Sequence, residues 1–325
     1  NLNLKIIEMR TMRPNQCILV LIVIASVNLV FLWQSLKSTG IKDVTQQSKD
    51  ISAIIKAKRM VRDETCEVML NIITTFPVLQ SLREIKSHGF GNISLKHFQD
   101  RQMEFVQTLS SNIKHPCVER IHLLVENVDV EEYIKTLDTK HFLVSDVDTM
   151  VRFYKLSNFP TYRDYAQYVN ENLMFKNIAI MNADISLGDG FNRIKDRFLV
   201  ERRVAYSLTR HSSLFTKCPS NPNFCRQKYT GSHDVHIFYM DTPFDKWSLH
   251  FLTYPINRLG AENLFMHVVA KRLNKTVLNP CSILKTHHNH CSGLRAADST
   301  TDKKRINWGK NYTYSTKSGY SQRLF

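Results

Sequence analysis

From about residue 66 the chain alternates short apolar runs with longer stretches whose apolar residues recur at helical spacing. Residues 68–74 (VMLNIIT) read as a first strand. Residues 95–112 carry Phe98, Met103, Phe105, Val106 and Leu109 at the three-to-four spacing of an amphipathic helix. The run 121–125 (IHLLV) has the continuous apolar character of a strand buried on both faces. A short helix is expected over 130–137, a third strand over 141–147 and a helix over 162–173. Further strands are expected at 177–181 (NIAIM), 204–209 and 235–239, then a helix over 260–273 and a last short strand at 276–278. Alternation at this spacing predicts an α/β fold, a mostly parallel sheet with helices on both faces. Such sheets bind ligands beyond the carboxyl ends of their strands. Residues 182–184, directly after an apolar strand, are therefore the first place to expect chemistry.

The N-terminal pattern is different. Residues 17–33, CILVLIVIASVNLVFLW, contain no charge, and Asn28 is the one strongly polar member. A bilayer core needs about 20 apolar residues, with a lower limit near 17, and residues 34–36 can extend the run. Cleaved signal peptides have shorter apolar cores and a small-residue cleavage site, whereas Phe31, Leu32 and Trp33 are bulky. The segment is expected to be a transmembrane anchor over 17–36, after a cytosolic tail over 1–16 and before a polar, Lys-rich stem over 37–65. Met9 and Met12 are candidate initiator residues. Lys5, Arg10 and Arg13 before the segment balance Lys37, Lys42 and Lys49 after it, so the flanking charges do not orient it. Downstream lie three glycosylation sequons, at Asn92, Asn274 and Asn311, and six of the seven cysteines. An even number of cysteines suits up to three disulfides outside the cytosol. Cys218 and Cys225, across a Pro/Asn-rich loop, are the expected local pair. The domain is expected over 66–298, with a C-terminal tail over 299–325.

The formal charge is +15, and no basic block accounts for it. Nucleic acid is not an expected partner; nucleotide diphosphates, acidic glycans or membrane headgroups are.

Several side chains could carry chemistry. Asp184 could bind a divalent cation or cap a following helix near 188–194. His288 and His290 lie two apart in THHNHCSGLR, so an extended backbone puts them on one side. Arg295 could clamp a phosphate through two parallel hydrogen bonds. A zinc site from Cys281, His288, His290 and Cys291 is a rival arrangement, although its spacing matches no usual zinc framework. Glu262 opens a helix, where it complements the dipole or serves as a general base. Asp234, just before a strand, holds a substrate hydroxyl or caps a turn.

These segments occur in the order RQMEFVQTLSSNI and IHLLVEN, FPTYRDYAQYVNENL and NIAIMNADI, SHDVHIF, NRLGAENLFMHVVAKRLNKTVLNPC, and HHNHCSGLR. Together, from about Arg101 to Arg295, they resemble glycosyltransferases of the nucleotide-sugar (GT-A-like) type. The resemblance implies that Asp184 matches the last Asp of an Asp-x-Asp motif and binds Mn²⁺ or Mg²⁺ on a donor diphosphate. His288 or His290 would add a ligand. Glu262 would be the acceptor-side acid and base, with Asp234 and Asn263 also on the acceptor side. Tyr162, Arg163, Asp164, Asn182 and Arg295 would lie along the donor. The implied protein is a single-pass type II Golgi membrane enzyme with a lumenal catalytic domain. It would move a sugar from a nucleotide sugar to a glycan or glycoprotein hydroxyl.

Two positions depart from the pattern: Asn182 replaces the first Asp of the motif, and Glu262-Asn263 carries one carboxylate fewer than the usual acidic pair. These losses keep open an inactive, glycan-binding relative on the same fold. A sulfotransferase would need a glycine-rich phosphate loop after the first strand, which TTFPVLQSLREIK lacks.

Overall fold

The computed structural model describes residues 66–79, 95–126, 129–137, 144–215, 223–228, 232–258, 260–292, 306 and 319–325. The anchor, the stem, Asn92, Asn311, Cys218 and Arg295 lie outside the described residues. Among the described residues no helix is long and apolar enough to cross a membrane. The elements run β1 (Leu70–Thr74), α1 (Leu95–Lys114), β2 (Val118–Val125), α2 (Asp129–Thr136), α3 (Val144–Met150) and β3 (Val151–Lys155). Then come α4 (Tyr162–Asn172), β4 (Asn177–Met181), β5 (Ile185–Leu187), α5 (Asp196–Leu199), β6 (Val204–Leu208) and β7 (Val235–Tyr239). The chain continues through α6 (Lys246–Phe251), α7 (Ala261–Lys271), β8 (Thr276–Asn279), β9 (Thr286–His288) and β10 (Gly319–Tyr320).

Eight strands form one sheet in the order β10-β8-β6-β7-β4-β1-β2-β3. β7 is antiparallel to both neighbours, and the remaining pairings are parallel. The expected mostly parallel α/β sheet is present. Alternate side chains along each strand divide between two cores, as the two-residue period requires. Leu70, Ile72, Leu123, Ala179, Met181, Tyr206 and Ile237 face a core shared with Phe105, Val106 and Leu109 of α1. Ile73, Leu124, Ile178, Ile180, Ala205 and Phe238 face a second core with α4 and α7. Burial on both faces explains why these strands read as unbroken apolar runs. α4 starts where the sequence predicts, on a reciprocal cap. Thr161 Oγ1 accepts the Asp164 N–H, and the Asp164 carboxylate accepts the Thr161 N–H.

The third strand expected over 141–147 is corrected. Residues 144–150 form α3, and the strand follows as β3. Asp146 and Asp148 disfavour a strand, and in α3 Val147 is buried while Ser145 and Asp148 are exposed. β3 lies on the sheet edge against β2, where only Val151 is fully buried, so its alternation is weak. The end of the segment set apart as a tail joins the fold. Gly319–Tyr320 pairs with β8, Leu324 O accepts the Tyr206 hydroxyl at 2.8 Å, and Phe325 stacks on Phe198.

The cysteine pairing is also corrected. Cys225 bonds Cys281, and Cys66 bonds Cys117. Cys291 is disulfide-bonded as well. A short loop is cheaper to close, but a disulfide needs Cα atoms within about 4.4–6.8 Å. The fold meets that need by bringing Cys225 to 5.8 Å from Cys281; the Cys225 N–H donates to Arg210 O beside β6.

One buried histidine makes the fold acid-sensitive. His122 lies between the Tyr168 hydroxyl at 2.8 Å and Asn71 Oδ1 at 3.3 Å. Burial, then the charges of Arg120 and Arg152, pushes its pKa down to about 4. The unfolded chain therefore binds more protons than the folded chain between about pH 4 and 6.5. Stability is full above pH 6.5 and falls as pH drops through that window, by up to ~1.4 kcal/mol per pH unit for this one group. Urea unfolding at pH 5 and 7.5 should show the loss, and His122→Gln should flatten the slope by about that amount.

Candidate functional site

The site lies past the carboxyl end of β4, where the sheet topology places ligands. Asp184 is buried, 7% exposed. Its Oδ2 accepts from Arg101 Nη2 at 2.6 Å and from His288 Nε2 at 3.1 Å, and it lies 3.6 Å from His290 Nδ1. It caps no helix. β5 begins at the next residue, and the 3₁₀ turn Phe191–Arg193 starts from Gly190 without a side-chain cap. Burial alone would raise the Asp184 pKa; the charges of His288, Arg101 and His290 reverse this and hold the carboxyl well below its ordinary value.

Backbone pairing brings the two histidines here. β5 and β9 form a small antiparallel ribbon in which Ile185 pairs with His288. The Asn289 N–H donates to Asp184 O at 2.8 Å, which continues the pairing past the strand end. Asn289 is 1% exposed and bonded at every side-chain position. Nδ2 donates to Thr108 Oγ1 and Ser186 Oγ, and Oδ1 accepts from Ser213 Oγ and the Leu214 N–H. Pinned between the histidines, Asn289 fixes the side chain on either side of it. His288 and His290 therefore converge as their spacing predicts. The rival zinc set is excluded, because Cys281 and Cys291 are both disulfide-bonded.

Helix α1 supplies the rest. Arg101, Glu104, Thr108 and Asn112 are all buried and follow one another at three- and four-residue steps, a polar stripe on one helix face. Asn112 Nδ2 donates to Ile185 O, and its Oδ1 accepts the Leu187 N–H, both at 2.9 Å, which holds β5 against the helix. Arg101 bridges Asp184, Glu104 and Asn289 O. Glu104 accepts from the Cys291 and Ser292 N–H groups and the Ser292 hydroxyl. Arg101 and Glu104 were not anticipated from the sequence; the stripe of long polar residues inside an amphipathic helix is the signal that marks them.

A glycine makes the ribbon possible. Gly190 has φ +98°, and a Cβ there would lie 1.9 Å from Ile283 O. Gly190→Ala combines left-handed backbone strain with overlap onto a carbonyl. It should cost more than ~2 kcal/mol, seen as a lower urea midpoint.

Asn182, Asp234 and Arg210 lie at the same end of the sheet as Asp184, where β4 and β6 finish and β7 begins. Across β4 and β7, Asn182 donates its N–H to Asp234 O and its Nδ2 to Asp234 Oδ1, both at 3.3 Å. Glu262 lies in the first turn of α7 and accepts the Gly260 N–H at 3.0 Å. Tyr162 is buried and stacks on Phe265 at 4.8 Å. Its phenol is held well above its ordinary pKa by burial, then by the charges of Glu262, Tyr165 and Asp234. Arg163 is exposed, and Asp164 serves the α4 cap. Asn274 is exposed at φ 50°, just after α7. Arg210 was not anticipated either. It follows β6 and donates to Asp234 at 2.7 Å.

Asp184, His288 and His290 offer one ligand atom each within 4.8 Å of one another. Ligands bound to one ion at roughly 2.0–2.2 Å lie within about 4.4 Å of one another. The set therefore closes on a divalent cation with a shift of less than about 1 Å, and one carboxylate with two imidazoles is a fitting donor set. Arg101 Nη2 already holds Asp184 Oδ2 at 2.6 Å.

No protein-family model matches the chain, and none of the curated proteins matches it. Among solved structures, a fragment of S. aureus TarS (residues 1–349) aligns at TM-score 0.34 and 10% identity, covering 62% of this chain and 55% of that one. The chain thus spans just over half of that structure's length. A protein from Desulfovibrio desulfuricans G20 assigned as a nucleotide-diphospho-sugar transferase aligns at TM-score 0.34 and 12% identity, over 66% of this chain and 79% of that one. HddC from Yersinia pseudotuberculosis aligns at TM-score 0.24 and 14% identity, over 53% and 74% of the two chains.

Proposed function

We propose that this chain is a glycosyltransferase that moves a sugar from a nucleoside diphosphate sugar to a hydroxyl of a glycan or protein. The carrying observation is the convergence of Asp184, His288 and His290 past the carboxyl end of β4. The resemblance of the motif order to nucleotide-sugar transferases supports the same reading. Asp184, His288 and His290 would hold Mn²⁺ or Mg²⁺. That cation supplies Lewis-acid charge for the departing diphosphate.

The chain's own residues do the rest. Asn289 and the Arg101–Glu104 pair fix the donors before substrate arrives, so little reorganisation is needed at the moment of reaction. Glu262 is held by the Gly260 N–H at the start of α7, and its carboxylate orients the acceptor hydroxyl. If transfer inverts the anomeric centre, Glu262 takes the proton.

The disulfides favour an oxidising compartment. With the apolar segment 17–36 they support a type II Golgi membrane protein with residues 66–325 in the lumen and glycans on Asn92, Asn274 and Asn311.

A second reading has its own observation. Arg101 already neutralises Asp184 at 2.6 Å, which suits a glycan-binding relative that needs no metal. Purified protein given a panel of nucleotide sugars, with and without Mn²⁺, separates the two. Metal-dependent release of the nucleoside diphosphate supports the transferase. Glycan binding without any donor turnover supports the relative.

A further inference from the structure

We propose that the end of the domain opposite the site docks on the surface of a bilayer, through Phe175, Val200, Phe325 and the basic side chains between them. The proposal rests on reading residues 17–36 as a membrane anchor and adds which face of the domain meets the lipid.

The strands define two opposite ends. Asp184 follows β4 at its carboxyl end. At the other end β1, β2, β4, β6 and β8 begin and β7 finishes. β4 is five residues long, so the two ends stand roughly 17 Å apart. The chain enters the domain at the second end. Cys66 is bonded to Cys117, the residue before β2. Glu67 accepts the Asp196 N–H at 3.1 Å and lies 2.8 Å from Lys195 Nζ, which places it at the start of α5. Residues 37–65 therefore join the domain beside α5, at the end away from the site.

Exposed apolar side chains gather at this same end. Phe175, between α4 and β4, is 67% exposed; Phe325 is 51% exposed, and Val200, just after α5, 39%. Contacts tie them into one face. The Phe175 N–H donates to Met240 O at 2.7 Å. Asp241, the next residue, accepts from Arg203 Nη1 at 2.7 Å. The neighbouring Arg202 guanidinium lies 4.5 Å from the centre of the Phe325 ring, which stacks on Phe198 of α5. Phe175 also has φ 60°, a region where glycine or asparagine usually follows a helix and a bulky residue is an outlier. Neither solvation nor backbone geometry favours an exposed phenylalanine there; a lipid contact does.

Charge fits the same partner. Lys176, Arg197 and Arg202 are exposed. Of the acids at this end, Glu67 pairs with Lys195, and Asp241 with Arg203 and Lys275; Asp196 and Glu201 face solvent. Long basic side chains keep their charge among headgroups while aromatic rings reach the acyl boundary. Asn274, the proposed glycan site, precedes β8, three strand spacings from β4 and so about 14 Å from it, at the rim of this face. A few apolar side chains alone bind a bilayer weakly, but a tether through residues 37–65 keeps the local concentration of lipid high. Docked in this way, the domain turns its site away from the bilayer, toward soluble donors and acceptors.

The test is photo-crosslinking. The full chain is reconstituted into phosphatidylcholine nanodiscs with a benzophenone amino acid in place of Phe175, of Val200 or, at the site end, of Leu214. Irradiation should label lipid from positions 175 and 200 at least ~10-fold more than from 214, because an undocked minor state holds no more than about a tenth of the population. Val200→Glu combined with Arg202→Glu should bring labelling from 175 down to the level of 214 at a Tm close to wild type, since both side chains are exposed. Equal labelling from 175, 200 and 214 overturns the proposal. So does a crosslink from 175 to a second copy of the chain in place of lipid. A chain that fails to enter nanodiscs defeats the anchor reading instead. Labelling of added phosphatidylcholine vesicles then decides alone: its presence at 175 and 200 supports the face, and its absence overturns it.

Discussion

Asp184→Ala should reduce sugar transfer by ~10³-fold or more while the protein remains folded. The size follows from what the side chain does. Removing one donor that stabilises a developing anion costs 10²–10³-fold in known cases, and loss of Asp184 would dismantle the three-donor set that holds the cation facing the departing diphosphate. The fold should survive because Arg101 keeps Glu104 at 2.8 Å and β5 keeps its bonds to Asn112. Asp184→Asn is the finer variant: it preserves the shape and removes the charge. Turnover near the wild-type rate in Asp184→Ala, with an unchanged Mn²⁺ requirement, would remove this carboxylate from the chemistry.

Arg101→Met should be the most destabilising single change near the site. Arg101 is 5% exposed and lies between two buried carboxylates, Asp184 at 2.6 Å and Glu104 at 2.8 Å. Methionine keeps much of the stem's packing over Phe105, whose ring centroid is 4.3 Å from the guanidinium. It leaves both carboxylates without their shared cation. Breaking a buried ion pair from one side costs about 3–5 kcal/mol, a fall in Tm on the order of 10 °C for a domain of this size. The same variant reports on the metal. A cation held by Asp184 should offset part of the loss, since ligand at 100 times its Kd stabilises by ~2.7 kcal/mol. Saturating Mn²⁺ should therefore raise the Tm of Arg101→Met more than that of the wild type. Equal shifts would mean that the ion binds elsewhere.

Much of the fold was legible because burial on both faces writes strands plainly. The runs at 177–181 and 235–239 are strands at their predicted bounds, and the run at 121–125 is a strand that starts three residues earlier, at Val118. The misses have local causes. β5 and β9 are three residues long and β10 only two, too short for any period to show. The α3–β3 boundary hid in a run where apolar and acidic residues alternate. Cysteine spacing favoured the shortest loop, while the fold joined Cys225 to a residue 56 positions away.

The site divides in the same way. Asp184 was legible from its place after an apolar strand, and the histidines from their two-residue spacing. Arg101, Glu104 and Arg210 were not, because each looks like an ordinary surface charge until the chain folds over it. The polar stripe of α1 was visible as a pattern, but its meaning depends on the β5–β9 ribbon packed against it. Glu262 reads the same in sequence and structure. It is a first-turn carboxylate that caps its own helix, and its catalytic role rests on the proposed function.

The most direct test of the central claim is anomalous diffraction from a crystal grown with Mn²⁺ and UDP, recorded at the manganese edge. The account predicts one strong peak within roughly 2.0–2.3 Å of an Asp184 carboxylate oxygen and of nitrogen atoms of His288 and His290, with Arg101 moved off that oxygen and the diphosphate against the ion. A nucleotide bound at the sheet edge with no manganese at these three side chains, and with the Arg101–Asp184 pair intact, would contradict it.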